Sequence, residues 1–287
     1  MENKGITIVK MTGEKEEFDQ SKLKHSLERS GASDVVIQQV IDEVEVSLYE
    51  GISTKEIYKT AFALLRRSNR PTAARYKLKK AIMELGPTGF PFEKFVGEIL
   101  NYQGFRTRVG VTVKGHCVNH EVDVIAEKEQ KHFMVECKFH SDQGRHCNVK
   151  IPLYIQSRFI DVEKQWSKKD GHDTKFHQGW IFTNTRFTTD AIQYGNCVGL
   201  MLVGWDYPKK GSLKERIDVS GLHPITCLTT ITKNEKQQLL EKDKVLCMEL
   251  CNQPELLKSI GISEKRHKNI LKEAHELCNK QPLNQKL

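Results

Sequence analysis

Two apolar runs between residues 120 and 140 carry charged residues whose types and spacing are suited to phosphate chemistry. Asp123 lies within residues 122–126, and Glu136 and Lys138 end the run that begins at Phe133. Side chains alternate along a strand, so Glu136 and Lys138 share one face. An antiparallel hairpin would bring Asp123 toward Glu136. Two carboxylates suit Mg²⁺ or Mn²⁺, and Lys138 is suited to hold an attacking water or a phosphate oxygen.

A simpler interpretation also fits these residues. Glu136 and Lys138 can form an ordinary ion pair at a solvated strand end, with Asp123 in a turn, because motifs this short recur by chance. Both faces of the strand at Phe133 begin apolar, which predicts a strand covered on two sides. Since a buried charge is costly unless it is paired or binds a metal, the strand argument alone leaves both interpretations open.

The wider pattern around these residues resembles that of the PD-(D/E)XK nucleases, and among them the Mrr-like restriction endonucleases. It comprises a helix at residues 92–100 with Glu93, a Gly104-Phe105 ending, the Asp123 strand and the strand ending in Glu136-X-Lys138. The residue before Asp123 is Val122, where the family pattern has Pro.

This resemblance implies a restriction-endonuclease-like α/β core and a metal-dependent endodeoxyribonuclease that acts in defence against foreign DNA. It assigns Glu93, Asp123, Glu136 and Lys138 to catalysis, with Asp123 and Glu136 as the Mg²⁺ or Mn²⁺ ligands.

Other polar residues near this core have two interpretations each. His120 and Glu121 either assist metal or phosphate binding or form a solvent-facing strand start. A helix is expected at residues 152–165, and in related nucleases this helix often adds a polar residue to the site. Gln156 and Arg158 are the candidates, and an exposed helix face is the alternative.

The first ninety residues have a different pattern. A short strand at residues 6–10 precedes amphipathic helices, the first of which can be capped by Asp19 or Ser21. Lys10 ends the strand and Lys22 lies in the first helical turn, where backbone amides also favour anions. Because no P-loop motif is present, nucleotide binding is favoured over nucleotide hydrolysis.

This segment resembles the ATP-cone, a small regulatory nucleotide-binding domain. The resemblance is carried by Val9-Lys10, Gly13, Phe18-Asp19, Lys22-Leu23, Gly51-Ile52-Ser53-Thr54, Ile57-Tyr58 and Ala73-Ala74-Arg75-Tyr76. It implies that Val9, Lys10, Lys22 and Thr54 line a site for ATP or dATP as a regulatory ligand. Nucleotide binding can regulate such a protein by changing its oligomeric state, so a homo-oligomer is expected.

Length and composition limit the number of domains, the kind of partner and the location of the protein. The chain has 287 residues and a formal net charge of +8, which favours a polyanionic partner. The nuclease resemblance implies that this partner is DNA. We expect an α/β (mixed) fold in three parts: a helical ATP-cone-like domain with a small β element at 1–86, a nuclease domain at 90–231 and a helical C-terminal region at 232–287. The sequence has no apolar stretch near the ~20 residues that cross a bilayer, so a cytoplasmic protein without membrane contact is expected.

Two further segments, one basic and one helical, each have two possible roles. Residues 66–80 contain seven basic residues and no acidic one. They form either a solvated helix face or a contact for nucleotide or DNA phosphate. A helix-turn-helix unit at residues 256–263 either contacts the DNA backbone or caps the preceding domain.

The eight cysteines show no CxxC pair, and free buried thiols explain them best. A zinc site could be built from His116, Cys117, His120, His140, His146 and Cys147, but their spacing matches no familiar zinc motif.

Three functions therefore follow from the sequence. The first is a Mg²⁺-dependent DNA endonuclease regulated by adenine nucleotide. The second is a nucleotide-responsive DNA-binding regulator with a catalytically silent nuclease fold, and the third is an RNA nuclease that uses the same metal chemistry.

Overall fold

The computed structural model describes residues 5–10, 13–168 and 176–278. Its N-terminal elements are β1 (Thr7–Val9), β2 (Lys15–Glu17), α1 (Gln20–Arg29), α2 (Asp34–Val46), β3 (Ile52–Ser53), α3 (Thr54–Ser68), α4 (Arg70–Tyr76) and α5 (Leu78–Met83). The middle elements are α6 (Phe90–Tyr102), β4 (Arg106–Lys114), β5 (Asn119–Lys128), β6 (Lys131–Lys138), β7 (His146–Cys147), α7 (Lys150–Trp166), β8 (Phe176–Thr183), β9 (Arg186–Phe187), α8 (Thr189–Cys197), β10 (Met201–Val203) and α9 (Leu213–Ser220). After a 3₁₀ turn at Ile225–Cys227 follow α10 (Lys233–Glu241), α11 (Cys247–Asn252), α12 (Glu255–Ser259) and α13 (Glu264–Cys278). The fold is mixed α/β with helices towards both chain ends, as the sequence predicts.

The chain divides into two compact units. The first contains the described residues of Met1–Ala81, Ile225–Gln238 and Cys247–Leu287, and the second contains Ile82–Pro224 and Leu239–Leu246.

In the first unit a small sheet in the order β2-β1-β3 stands beside helices. β1 pairs antiparallel with β2 and parallel with β3. Asp19 caps α1 by accepting a hydrogen bond from the Ser21 N–H, which is one of the two caps expected for this helix. The helices bury apolar side chains such as Leu27, Val44 and Leu65 in one core.

The first unit also contains the C-terminal helices, and named hydrogen bonds hold them there. Arg75 Nη2 donates to the Glu276 carbonyl at 2.5 Å, and Lys77 Nζ donates to the Thr226 carbonyl at 2.9 Å. Each compact unit combines separate stretches of the chain, whereas the expected domains 1–86, 90–231 and 232–287 are consecutive; those domain limits stay a prediction. The reason is long-range: cations in the basic run satisfy carbonyl groups about 150 to 200 residues later in the chain, and sequence order gives no sign of such pairs.

The second unit is built on a sheet in the order β10-β8-β6-β5-β4. β4, β5 and β6 pair antiparallel, whereas β6, β8 and β10 are parallel. Helices cover both faces of this sheet. Gly97 of α6 approaches Val109 on one face, and Phe159 of α7 packs near Met134 on the other. The prediction that the strand at Phe133 is covered on two sides is therefore confirmed.

Three further features concern the expectations above. Within the described residues no helix has the length and apolar character needed to span a bilayer. All eight cysteines are free thiols; Cys137, Cys147, Cys227 and Cys247 are buried, whereas Cys117 and Cys197 are exposed. Lys77 separates α4 from α5 in the basic segment.

Candidate functional site

The hairpin of β5 and β6 places Asp123 beside the end of β6. Val124 pairs with Val135, so the next step along each strand leads to Asp123 and Glu136. Asp123 Oδ2 accepts a hydrogen bond from the Cys137 N–H at 2.7 Å. The two acidic residues that the sequence predicts as metal ligands therefore lie on neighbouring strands, and one of them is fixed by the backbone of the other strand.

Glu136 lies between two cations in an environment nearly closed to water. Its side chain is 4% exposed, with Oε1 2.6 Å from Lys138 Nζ and Oε2 2.7 Å from Arg158 Nη1. Arg158 also donates to the Glu121 carbonyl through Nη2. A buried carboxylate is tolerated when it is paired and hydrogen-bonded in this way. Arg158, one of the two helix candidates, thus contacts the predicted site directly.

Burial and neighbouring negative charge raise the pKa of two carboxyl groups near Glu136. Burial raises the pKa of Asp123 to about 6, and the charge of Glu136 adds to the effect. Burial also raises the pKa of Glu93 to about 7, with Asp123 as the next cause and Glu136 after it. Burial acts to lower the pKa of Lys138, but Glu136 outweighs it and the pKa is raised. The site concentrates negative charge, which a bound cation would offset.

The donor set suits a hard divalent cation. Asp123 and Glu136 supply carboxylate oxygens from adjacent strands, and Mg²⁺ commonly takes one or two carboxylates from the protein and completes its shell with water and substrate phosphate. Across the described residues no group of three or more His, Cys, Asp or Glu side chains has a metal-holding arrangement. A cation held by Asp123 and Glu136 would require Lys138 or Arg158 to release a Glu136 oxygen.

The other polar residues near this site differ in burial and in hydrogen bonding. Gln156 Oε1 is buried and has no hydrogen-bond partner among the residues described. Glu98, on the same helix as Glu93, is exposed. The side chain of Glu121 is exposed as well, and its charge contributes to raising the pKa of Glu93.

His120 has a structural partner that the sequence does not indicate. Its Nε2 lies 2.8 Å from Asp161 Oδ2, and Asp161 Oδ1 accepts from the Cys117 N–H at 2.8 Å. Asp161 thereby connects α7 to the turn between β4 and β5. The other residues of the zinc alternative also have local contacts, such as His140 Nε2 with Cys147 Sγ at 3.3 Å.

The residues predicted to bind nucleotide meet at the small sheet of the first unit. Val9 pairs with Ser53, the N-cap of α3, and Thr54 is the first residue of that helix. Glu16 Oε2 lies 2.9 Å from Lys10 Nζ and 3.3 Å from Lys22 Nζ. Val9 and Thr54 thus come from neighbouring strand ends, and Glu16 joins the two lysines.

These lysines are exposed, in contrast to the cations around Glu136. The side chain of Lys10 is 38% exposed and that of Lys22 is 64% exposed. The hydrogen bond from Lys10 lowers the pKa of Glu16. Exposed ion pairs contribute little free energy, so an incoming phosphate can replace the carboxylate at small cost.

Comparison with known proteins matches family models to two separate stretches of the chain. Residues 6–81 match the ATP cone domain model, and residues 223–278 match the model described as AF1548-like, C-terminal. An "uncharacterized protein" of Archaeoglobus fulgidus is 37% identical over 183 residues, which cover 63% of this chain and 99% of that protein. The solved structure described as "Crystal Structure of Protein of Unknown Function AF1548" has a TM-score of 0.55 and 36% identity, and the match covers 67% of this chain and 98% of that one. The N-terminal ATP-cone resemblance is therefore confirmed, and the chain belongs to the AF1548-like family.

Proposed function

We propose that this protein is a Mg²⁺- or Mn²⁺-dependent DNA endonuclease of restriction type, regulated by ATP or dATP at its ATP cone. The observation that carries the proposal is the Asp123–Glu136–Lys138 constellation at one end of a hairpin. The half-buried Glu93, whose pKa is raised by burial and then by the charges of Asp123 and Glu136, supports it. Such a concentration of buried acids beside a lysine is costly for folding, and a metal-dependent phosphodiester hydrolysis gives it a purpose.

Each residue has a definite task in this reaction. Asp123 and Glu136 hold the metal ion, which when bound supplies Lewis acidity and a water of lowered pKa. Lys138 moves from Glu136 Oε1 to hold the attacking water or a phosphate oxygen. Glu93 adds negative charge beside Asp123, and Arg158 keeps the Glu136 carboxylate oriented through its bond to Oε2.

Regulation is assigned to the first unit. Val9, Lys10, Lys22 and Thr54 bind ATP or dATP, with the triphosphate taking the place of Glu16 on the two lysines. Coupling requires that the nucleotide bind one state of the protein more tightly, typically by about 5- to 150-fold. A change in the association of copies of the chain carries this coupling in the proposal, so a homo-oligomer is part of it. A defence role against foreign DNA and a cytoplasmic location complete the proposal.

One observation favours the alternative of a catalytically silent, nucleotide-responsive DNA-binding regulator. Arg158 occupies Glu136 Oε2 at 2.7 Å, and Lys138 occupies Oε1 at 2.6 Å, so both oxygens of one metal ligand are already paired. If these pairs persist, the metal has a single carboxylate left to bind.

The test is a cleavage panel on the full-length protein. Supercoiled DNA, linear DNA and single-stranded RNA are incubated with Mg²⁺, Mn²⁺ or EDTA, with and without ATP and dATP. Wild type is compared with Lys138→Ala and with a control, Lys131→Ala, which removes an exposed lysine from the same strand. We expect metal-dependent DNA cleavage by wild type and by the control, but not by Lys138→Ala. DNA binding without cleavage supports the regulator, cleavage of RNA alone supports the RNA nuclease, and unchanged cleavage by Lys138→Ala removes this residue from the site.

A further inference from the structure

The basic run at residues 66–80 separates in the structure into two kinds of cation. Arg75 and Lys77 donate to backbone carbonyl groups of the C-terminal segment, and Lys77 is 8% exposed. Arg66, Arg67 and Arg70 are exposed, and within the described part of the chain none of them has a hydrogen-bond or ion-pair partner. The run therefore contains two structural cations, Arg75 and Lys77, and a separate arginine trio with no polar side-chain or backbone partner among the described residues.

The arginine trio lines one cavity, together with Thr229 and Thr230. This cavity, called the arginine cavity below, has a volume of about 540 Å³. Arg66 and Arg67 lie in the last turn of α3, and Arg70 begins α4 directly after the helix break at Asn69. Asn69 stabilises this break by accepting from the Thr72 N–H at 3.1 Å. The break thus places Arg70 in the same cavity as the end of α3.

The two threonines that line the arginine cavity are held by hydrogen bonds. The N–H groups and hydroxyls of Thr229 and Thr230 all donate to the carboxylate of Glu273, at distances of 2.6 to 3.1 Å. Glu273 is 3% exposed. Its charge is taken up by these donors, so Glu273 does not serve as an ion-pair partner for the arginine trio. The cavity is positively charged and pre-formed.

Helix electrostatics explain only part of the arginine trio. Cations in the last turn of a helix are stabilised by its dipole, which accounts for Arg66 and Arg67. Arg70 is the first residue of α4, where the dipole disfavours a positive charge. Three like charges around one cavity repel each other unless an anion joins them. The guanidinium group binds phosphate through two parallel hydrogen bonds, so phosphate is the anion that the side-chain type favours.

We infer that the arginine cavity is a docking site for the phosphate backbone of DNA, with Arg66, Arg67 and Arg70 as its phosphate contacts. The choice of DNA among phosphate-bearing molecules rests on the proposed function. A free nucleotide is disfavoured because, among the described residues, the cavity lining offers no aromatic or large aliphatic side chain for a base. The site is also separate from the nucleotide residues, since Thr54 and Arg66 lie at opposite ends of α3, about 18 Å apart at 1.5 Å per residue.

A second cavity extends the same surface. It has a volume of about 410 Å³, shares Arg70 with the arginine cavity and adds Asn269 and Lys272 from α13. Glu276 also lines it, so this part carries a weaker positive charge. A backbone that follows the surface would therefore have its strongest contacts at the arginine trio.

The experiment measures DNA binding by the full-length protein in EDTA, so that cleavage plays no part. The affinity for a labelled duplex is followed over a range of salt concentrations for wild type and for Arg66→Gln/Arg67→Gln/Arg70→Gln. Each lost phosphate contact lowers the slope of log affinity against log salt by about 0.9, so we expect a reduction of about 2 to 3. A control removes three exposed lysines elsewhere in the same unit, Lys15→Gln/Lys24→Gln/Lys55→Gln, and is expected to change the slope by less than about one unit. The triple Arg→Lys variant should keep most of the slope, because counterion release depends on charge.

Several outcomes would overturn the inference. They are an unchanged slope in the Gln variant, an equal loss in the control, or no DNA binding by wild type. Loss of ATP binding with an unchanged DNA slope would identify a free nucleotide as the ligand instead. Thermal unfolding checks the fold, and Arg70→Gln alone, with an expected loss of about one unit, replaces the triple variant if that variant unfolds. Cleavage by wild type is measured in parallel. If the Gln variant has a reduced slope but wild type does not cleave DNA, the nuclease proposal is rejected and the docking site is kept. If wild type cleaves DNA but the slope of the Gln variant is unchanged, the docking site is rejected and the nuclease proposal is kept.

Discussion

Two lysine–glutamate sites in this protein differ chiefly in their exposure to water. Glu136, which pairs with Lys138, is 4% exposed, whereas Glu16, which pairs with Lys10 and Lys22, is 28% exposed. Burial raises the pKa of the carboxyl groups around Glu136, and the lysine hydrogen bonds lower the pKa of Glu16. A lysine–glutamate pair therefore costs folding free energy through burial in the second unit, whereas the exposed pairs of the first unit cost almost none.

This difference indicates how each site meets its ligand. The exposed pairs at Lys10 and Lys22 are weak and easily exchanged, so a triphosphate can bind without large rearrangement. The pairs at Glu136 are fixed by burial, and a metal ion must compete with Lys138 and Arg158 for carboxylate oxygens. The first site is suited to reversible sensing, whereas the second is suited to chemistry that begins once substrate and metal displace the internal pairs.

The largest effect is expected from neutralising the buried carboxylates. Asp123→Asn and Glu136→Gln keep the side-chain shape but remove the metal-binding charge, so each should lower the DNA cleavage rate on the order of 100-fold or more. DNA binding in EDTA should stay near that of wild type. The measurement is cleavage rate against Mg²⁺ concentration, with Glu129→Gln in the exposed hairpin turn as the control. Wild-type rates in either variant would exclude that carboxylate from metal binding.

The exposed site should respond in ligand affinity and not in chemistry. Lys10→Ala/Lys22→Ala is expected to weaken ATP and dATP binding by roughly 10- to 100-fold, because each of these two exposed lysines contributes about 0.7 to 1.4 kcal/mol of net binding free energy. Calorimetric titration measures the nucleotide affinity. The control is Lys24→Ala, which removes an exposed lysine from α1, the helix that carries Lys22. Oligomer mass and cleavage are followed in the same samples.

The nucleotide prediction has two ways to fail. If wild type binds neither nucleotide at millimolar concentration, the ATP cone is not a sensor here. If it binds but mass and cleavage stay constant, binding occurs without the regulation that we propose.

Arg158 tests whether the buried pair positions Glu136 or blocks it. Arg158→Ala should lower the free energy of unfolding by about 1 to 3 kcal/mol, because the buried carboxylate loses one charged partner. Arg158→Lys should restore only part of this, since lysine lacks the fork that reaches both Glu136 and the Glu121 carbonyl. Denaturant unfolding measures the loss. Arg106→Ala is the control, since Arg106 pairs with Glu127 but is 79% exposed, and its removal should cost about 1 kcal/mol or less.

Cleavage by the same variants separates the two proposed functions. A positioning role predicts slower cleavage in Arg158→Ala and partial recovery in Arg158→Lys. Faster cleavage or tighter Mg²⁺ binding in Arg158→Ala would mean that this pair holds the site in a silent state.

Local sequence patterns are enough to predict the parts of the fold that depend on neighbouring residues. The β5–β6 hairpin follows from its alternation, and Asp19 caps α1 as expected. β4 is absent from the expectations above, although Val109, Val111 and Val113 alternate and mark it as a strand. The turn between β5 and β6 uses positive φ at Glu129 and Gln130, residues that carry no strong signal for such a turn.

The candidate site is predictable only in part, for a related reason. Asp123, Glu136 and Lys138 follow from strand periodicity and motif spacing, but the bond from Arg158 to Glu136 joins residues 22 positions apart. The pair of His120 and Asp161 spans 41 positions. Such contacts depend on how α7 packs on the sheet, which no local pattern records. The arginine trio is likewise visible as a basic run, but only the structure separates it from Arg75 and Lys77.

The smallest effect is expected at Asp161, which decides the role of His120. The hydrogen bond from His120 is the main cause that holds the pKa of Asp161 well below its usual range, and the Cys117 N–H adds to it. A carboxyl whose pKa is lowered by folding stabilises the protein above its unfolded pKa, about 3.9, and this stabilisation is lost as the pH falls toward the lowered folded value. Asp161→Asn should therefore lower the melting temperature by a few degrees at pH 7 and by less near pH 3, with Glu129→Gln as the control. Cleavage should stay within about twofold of wild type, since the pair contacts none of the four proposed catalytic side chains. Asp161→Asn or His120→Ala could instead slow cleavage as much as Glu136→Gln does, with an unchanged melting temperature. His120 would then belong to the catalytic site around Glu136, and its role would not be to fix the turn between β4 and β5.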